Sequence, residues 1–346
     1  MTRHIVLLAS VSFLLALPVT DALSTHRQQH QHLHESRSLE NQTFKNLAAA
    51  SASGYALVDT YNSVNFFSSF KFFQGTDPTA GYVNYQSQSN AQSQGLVNTN
   101  KNLVYMGVDH TTTNPASPGR NSVRVTSNKA YNHGLFIADI AHMPGSICGV
   151  WPAFWLFGPN WPASGEIDII EGVNTNNYNT MALHTSAGCS VTTAGSQSGT
   201  VQLLSDCNAN NANNGCGATN NNSEAYGDTF NAIGGGVFAM QWESSGIYIW
   251  FFPRGSIPSD ITNGVPVTTN WGTPVVAFNG GSGCDIDSHF ANQNIVFDTT
   301  FCGTWAGSVW SGTCAAQANT CNTYVAQNPS AFVNAYWSIN SVKVYQ

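Results

Sequence analysis

The strongest constraint on the fold is a succession of short runs with strand chemistry, separated by turn residues. Residues 81–85, 103–107, 122–126, 135–139, 150–157 and 165–171 are rich in β-branched or aromatic types and bounded by Gly, Asn, Pro or Ser. The pattern continues through 181–185, 237–242, 247–252, 294–298 and 339–345. Glu243-Ser-Ser-Gly246 separates two of these runs and predicts a β-hairpin with a four-residue turn. Only 322–333 reads as helical, and briefly. No repeat of 20–50 residues is visible, which argues against a propeller or solenoid. Strands without intervening helices imply an all-β chain of antiparallel sheets packed as a sandwich.

The segments between these runs are polar without being charged. Lys and Arg number 11 and Asp and Glu 18 in 346 residues, or 8%, against about 25% in ordinary soluble proteins. A coiled coil or charge-laced helical bundle needs Glu and Lys at every turn and is excluded. A net charge of −7 without a basic cluster argues against nucleic acid as a partner. The 42% hydrophobic and 12% aromatic content is ample for a core and excludes disorder throughout.

Arg3 precedes an apolar run at 5–19, the length of a signal-peptide h-region; a signal anchor is the rival reading. We expect cleavage near Ala22, which gives a leader at 1–22, a polar His/Gln-rich linker at 23–45 and one domain at 46–346. His26, His30, His32 and His34 have spacings that allow metal binding, but an unstructured linker accounts for them without special geometry. No other segment is long and apolar enough to cross a bilayer, so the expected product is a secreted, extracellular monomer without membrane contact. Eight cysteines after such a leader favour disulfides over zinc. The last four, Cys284, Cys302, Cys314 and Cys321, are expected to staple C-terminal loops locally, and the Asn-rich stretch 208–223 reads as a surface loop tied down by Cys207 and Cys216. Asn41-Gln-Thr43 and Asn221-Asn-Ser223 are glycosylation sequons.

Against this background Glu166-Ile-Asp-Ile-Ile-Glu171 stands out. Even spreading of the 18 acids would place about 0.3 in any six-residue window, and this one holds three. In a strand, Glu166 and Asp168 share one face and Glu171 is out of phase by one. A one-residue bulge near Ile170 would return it to their face, so that all three line one concave surface. No Lys or Arg lies between Val150 and Gln202 to offset the repulsion. The arrangement suits glycoside hydrolysis, where one carboxylate attacks or activates water and a neighbouring carboxylic acid protonates the leaving oxygen. A half-exposed strand with polar outer residues, or an oxygen-ligand Ca²⁺ site, are alternatives on pattern alone. Trp151, Trp155 and Trp161 precede the motif and are candidates for sugar-stacking platforms as well as for core. Trp151 and Trp155 share parity unless a bulge separates them. His184 is expected on a nearby strand, as a donor to a sugar hydroxyl or to Glu171.

The runs Gly149-Val-Trp-Pro-Ala-Phe-Trp155, Trp161-Pro-Ala-Ser-Gly-Glu-Ile-Asp-Ile-Ile-Glu-Gly-Val-Asn174 and Leu183-His-Thr185 resemble glycoside hydrolase family 16, most of all its fungal endo-1,3(4)-β-glucanases, or laminarinases. The similarity runs from about Tyr55 through Phe301-Cys-Gly-Thr-Trp-Ala-Gly307 to Val342-Lys-Val-Tyr345. It implies a concanavalin A-like β-jelly-roll of two curved antiparallel sheets, with a substrate cleft across the concave face of a 46–346 catalytic domain. It also implies a retaining β-glucanase that needs no metal or other cofactor, with Glu166 as nucleophile, Glu171 as general acid/base, Asp168 as assisting carboxylate, and Trp151, Trp161, His184 and Trp305 along the cleft. The six-residue motif resembles the laminarinase branch; lichenases, xyloglucan-modifying enzymes and chitin-glucan transglycosylases carry a five-residue form. A glucan transglycosylase and a non-catalytic lectin-like sandwich are the alternatives. Fungal relatives often carry an acid where Thr304 stands.

Overall fold

The computed structural model describes residues 54–211 and 214–346. The leader, the linker with its histidines, and the sequon at Asn41 lie outside the described residues. Eighteen strands form in the described part. The first nine are β1 (Leu57–Asn62), β2 (Phe70–Phe72), β3 (Val83–Tyr85), β4 (Val97–Asn98), β5 (Val104–Gly107), β6 (Arg120–Ser122), β7 (Arg124–Tyr131), β8 (Gly134–His142) and β9 (Val150–Phe157). The others are β10 (Glu166–Glu171), β11 (Thr180–His184), β12 (Thr200–Leu204), β13 (Cys216–Asn220), β14 (Gly236–Glu243), β15 (Gly246–Pro253), β16 (Val276–Asn279), β17 (Gln293–Phe301) and β18 (Tyr336–Tyr345).

Two eight-stranded antiparallel sheets result, with a small parallel pair of β3 and β6. One sheet runs β16-β15-β14-β8-β18-β5-β4, with β1 pairing the C-terminal half of β18. The other runs β12-β13-β11-β10-β9-β17-β7-β2. Each expected run forms a strand or part of one except 122–126, which is divided at Val123 between the end of β6 and the start of β7. The 243–246 turn is tighter than expected, because Glu243 and Gly246 pair directly and leave a two-residue connection.

The core lies between the sheets. Phe154 of β9 stacks on Phe297 of β17 at 4.4 Å, and Phe297 meets Trp337 of the opposite sheet edge-on at 5.4 Å. Burying each such ring contributes about 1.5–3 kcal/mol, and the Trp337 indole N–H is satisfied by the Asp298 carbonyl at 3.1 Å. Truncating Phe297 to Ala would cost about 3–5 kcal/mol.

Three expectations need correction. Of the last four cysteines only Cys302–Cys321 is a local pair, because Cys314 joins Cys148 and Cys284 joins Cys189 across the fold. Cys148 stands just before β9 and Cys314 in the loop after β17, and antiparallel pairing of those strands brings these positions to the same end of the sheet's strands. The 208–223 stretch is not all loop: Cys207–Cys216 does close it, but 216–220 is the largely buried strand β13, whose Ala218 packs into the core. Helix is not confined to 322–333 either, since short helices also form at Phe66–Ser69, Gln88–Ser93 and Gly227–Ala232. The helix at Cys321–Gln327 is capped by the Thr320 side chain, which accepts from the Thr323 N–H. Asn221, the second sequon's acceptor, is exposed.

Candidate active site

The carboxylate strand owes its geometry to one extra residue. Asp168 pairs with Trp155 and Ile170 with Phe154 on β9, so Ile169 is the bulged residue. Ile169 and Ile170 are consecutive yet both buried in the core, which a regular period-two strand does not allow. The bulge frees backbone groups that the ladder would have paired. Asn179, itself buried, takes them up: its amide donates to the Ile169 carbonyl at 2.7 Å, and its oxygen accepts from the Glu171 N–H at 2.9 Å. Glu166, Asp168 and Glu171 thereby line one cleft of about 840 Å³.

The cleft crosses the second sheet from β12 to β7. Leu203, Leu204, Gly217, Ala182 and His184 line one half, and Ala153, Asp298, Thr300 and Arg124 the other. β9 and β17 pair without a register shift, so Trp151 and Trp155 keep their parity and both face the cleft. Trp161, about half exposed, and Trp305, in the turn at Gly303–Gly307, complete the aromatic walls. The structure thus brings all eight sequence-predicted residues to one site.

Their contacts are specific. The Trp151 indole N–H donates to Glu171 Oε1 at 2.8 Å, and the Trp151 ring meets Trp305 edge-on at 5.5 Å. His184 Nε2 lies 3.2 Å from Asp168 Oδ2 and 3.8 Å from Glu166 Oε1. His184 therefore faces Glu166 and Asp168, rather than hydrogen-bonding Glu171. Its position depends on Gly215, where φ is +113° and a Cβ would fall 2.5 Å from His184 Nδ1.

Burial and the Asp168 charge raise Glu166 to about 8, against the opposing pull of His184 and the Trp161 indole. Burial and Asp168 also raise Glu171 well above the usual carboxylate range, and the Glu166 charge adds to the rise. Burial disfavours a charged His184, but the contact with Asp168 and the charge of Glu166 outweigh it and raise His184 to about 10. The imidazolium lies beside Glu166 and favours its ionised form, while the charges of Asp168 and Glu166 favour a proton on Glu171. The inclusion of an imidazole with Glu166 and Asp168 also sets the cluster apart from an all-oxygen Ca²⁺ site.

Several cleft residues were not legible as such. The Arg124 guanidinium packs over Trp155 at 4.8 Å and Phe73 at 4.9 Å. Asp298 accepts from the Trp155 indole N–H at 2.9 Å and the Tyr85 hydroxyl at 3.1 Å, and burial pushes it up to about 6 despite Arg124. Nothing in the sequence around them marks a site; only the pairing of β7, β17 and β9 assembles them.

Residues 70–345 match the family model for an XgeA-like, catalytic GH16 domain. The chain belongs to glycoside hydrolase family 16. A probable endo-1,3(4)-β-glucanase of Aspergillus niger is 49% identical over 305 residues, which cover 86% of this chain and 41% of that protein. The chain spans about half the length of the curated relatives it matches. Among solved structures, an elongating GH family 16 β-1,3-glucosyltransferase is 46% identical with a TM-score of 0.79, covering 84% of this chain and all of the other. GH16 laminarinase 16A of Phanerochaete chrysosporium, with β-glucans in both donor and acceptor sites, is 43% identical at the same TM-score, covering 84% of this chain and 99% of the other. The family and the two-sheet jelly-roll that the motif implied are thus established.

Proposed function

We propose that this family 16 domain is an endo-acting β-glucanase that hydrolyses 1,3- or mixed 1,3/1,4-linked glucans by a retaining double displacement. The observation that carries the reading is the bulged strand that turns Glu166, Asp168 and Glu171 to one face of a cleft walled by tryptophans. Glu166, in its ionised form, attacks the anomeric carbon and forms a glycosyl ester as the glycosidic C–O bond breaks. Glu171 gives its proton to the departing oxygen. In the second step Glu171 removes a proton from water, the hydroxyl adds to the anomeric carbon, and Glu166 leaves as carboxylate. Asp168, between the two glutamates in sequence and beside His184, favours a proton on Glu171 and holds the imidazolium whose charge favours an ionised Glu166. Trp151 orients the acid, and Trp155, Trp161 and Trp305 offer apolar faces to sugar rings.

The setting agrees with action outside the cell on an uncharged polymer. Four disulfides favour an oxidising compartment, and among the described residues no helix is long and apolar enough to cross a membrane. The domain plan of leader, linker and one catalytic unit, acting as a monomer, belongs to the same reading. The likeness to an elongating glucosyltransferase favours a second outcome of the same chemistry, in which a sugar hydroxyl replaces water in the second step.

The test is product analysis on laminarin, lichenan, barley β-glucan and xyloglucan. Shorter oligosaccharides from the first three would support hydrolysis, and products longer than a defined laminarioligosaccharide would favour transfer. No turnover of any 1,3-containing glucan would refute the reading.

A further inference from the structure

Three Asn-Gly pairs occur in the chain, beginning at Asn214, Asn263 and Asn279. Each sets an amide side chain next to a backbone nitrogen with no Cβ to shield it, the arrangement in which asparagine is most thermolabile. Loss of the amide needs two freedoms. The side chain must swing onto the following N–H, and that N–H must be free of a hydrogen bond so that its nitrogen can attack. The three pairs differ in both.

Asn279 has neither freedom. Its amide donates to the Thr192 carbonyl at 3.1 Å and the Ala194 carbonyl at 2.8 Å, and the Gly280 N–H donates to the Ser245 carbonyl at 3.1 Å. Asn263 is exposed, but it closes the helix Ser259–Thr262, and the Gly264 N–H is committed to the Ile261 carbonyl at 3.0 Å. Asn214 has both. It is exposed, and its backbone N–H is what donates to Asn211 Oδ1, at 3.0 Å. Among the described residues no hydrogen bond takes up its side-chain amide or the Gly215 N–H.

This pair is also the one at the cleft, which Asn214 and Gly215 line together with His184. Beyond Gly215 the chain is fixed, because Cys216 pairs with Leu183 of β11 and is bonded to Cys207. A Cβ at 215 would fall 2.5 Å from His184 Nδ1 and 2.9 Å from the Leu183 carbonyl, so the backbone has no room to move toward the imidazole.

We infer that Asn214 is a site of spontaneous covalent modification, converting through a cyclic imide to aspartate and isoaspartate, and that the isoaspartyl form inactivates the cleft. The Gly215 nitrogen bonds to Asn214 Cγ as the Cγ–Nδ2 bond breaks, and the N–H proton leaves with the amide nitrogen as ammonia. Water then opens the imide. Opening at Cγ gives aspartate on an unchanged backbone. Opening at the main-chain carbonyl gives isoaspartate, whose chain runs through Cβ and Cγ and is one methylene longer. Asn214 has φ of +51°, a conformation that aspartate tolerates as well, so the aspartyl form keeps the loop. In the isoaspartyl form the added methylene displaces Gly215 against His184, and through it the charge beside Glu166. The effect on turnover rests on the β-glucanase reading above; the modification does not.

The test compares wild type with Asn214→Gln, whose longer side chain closes the ring far more slowly, during weeks at pH 8 and 37 °C. Peptide mapping by mass spectrometry reads acid in place of amide, and isoaspartyl methyltransferase labelling reads isoaspartate. kcat/KM on laminarin is followed in the same samples, relative to each protein's starting value. Acid should form at 214 before 263 or 279. Wild-type kcat/KM should fall in proportion to the isoaspartyl fraction, that form keeping no more than about a tenth of the starting value, a modest loss for a displaced active-site group. Asn214→Gln should hold its own starting value. Acid appearing first at 263 or 279, or none at 214, would overturn the assignment of the site. Isoaspartate at 214 with undiminished turnover, or equal decay of Asn214→Gln, would overturn the inactivation. A protein inactive on laminarin from the outset whose Asn214 still converts would refute the glucanase reading and leave the modification standing.

Discussion

Replacing Glu171 with Gln tests whether the carboxylate cluster is maintained at a cost to stability. Burial and the neighbouring Asp168 raise the folded-state carboxyl well above its ordinary value of 4.5. Between that value and the raised one, the folded protein holds a proton that the unfolded chain has released. The contribution of this group to stability is therefore greatest below about 4.5, falls as pH rises, and levels off only once the folded group ionises. Each pH unit in that interval removes up to about 1.4 kcal/mol. Gln keeps an oxygen for the Trp151 N–H, now 2.8 Å from Glu171 Oε1, and does not titrate. Proton sharing within the cluster prevents the full slope, so the variant should gain about 1–2 kcal/mol over wild type between pH 5 and pH 7. For a domain of this size that is about 2–8 °C in Tm. Calorimetry of both proteins at pH 4, 5, 6 and 7 would measure it. A gap that stays constant with pH, or a variant less stable than wild type at pH 7, would refute the argument.

Other substitutions probe the groups around the glutamates. His184→Asn removes the positive charge that favours ionised Glu166, so the acidic limb of the kcat/KM profile should move up by about one pH unit; an unmoved limb would show that the imidazolium does not tune the nucleophile. Gly215→Ala places a Cβ 2.5 Å from His184 Nδ1 and should reproduce that shift with little change in the circular dichroism spectrum; wild-type kinetics would contradict it. Asn179→Ala leaves the Ile169 carbonyl and the Glu171 N–H without their partner and should cost about 1–3 kcal/mol in denaturant unfolding with a fall in kcat; unchanged stability would mean that the bulge holds itself.

The sheets were legible because their strands advertise themselves: Val150–Phe157 alternates buried and cleft-facing residues along its length, and the structure reproduces those limits. The bulge was legible from chemistry, since three acids spaced at two and then three residues share a face only if one residue is extra. What supports the bulge was not. Asn179 is one of many asparagines in the chain, and only its buried amide between Ile169 and Glu171 distinguishes it. Arg124 and Asp298 are brought to Trp155 from β7 and β17 by sheet order, a long-range property that local periodicity does not carry. The partners of Cys284 and Cys314 were misplaced for the same reason: Cys148 and Cys314 are 166 residues apart in sequence but adjacent at one end of the paired strands β9 and β17. Strand β13 escaped notice because Cys216-Gly-Ala-Thr-Asn220 adjoins an asparagine-rich loop and has little β-branched content.

The central claim, that Glu166 and Glu171 act as nucleophile and acid/base of a retaining enzyme, is tested most directly by the configuration of the first product. Proton NMR during the opening minutes of laminarin cleavage distinguishes the newly formed anomers before mutarotation mixes them. The account predicts that the β-anomer appears first and the α-anomer only afterwards, by mutarotation. First-formed α-anomer would mean a single displacement and would contradict the roles given to both glutamates.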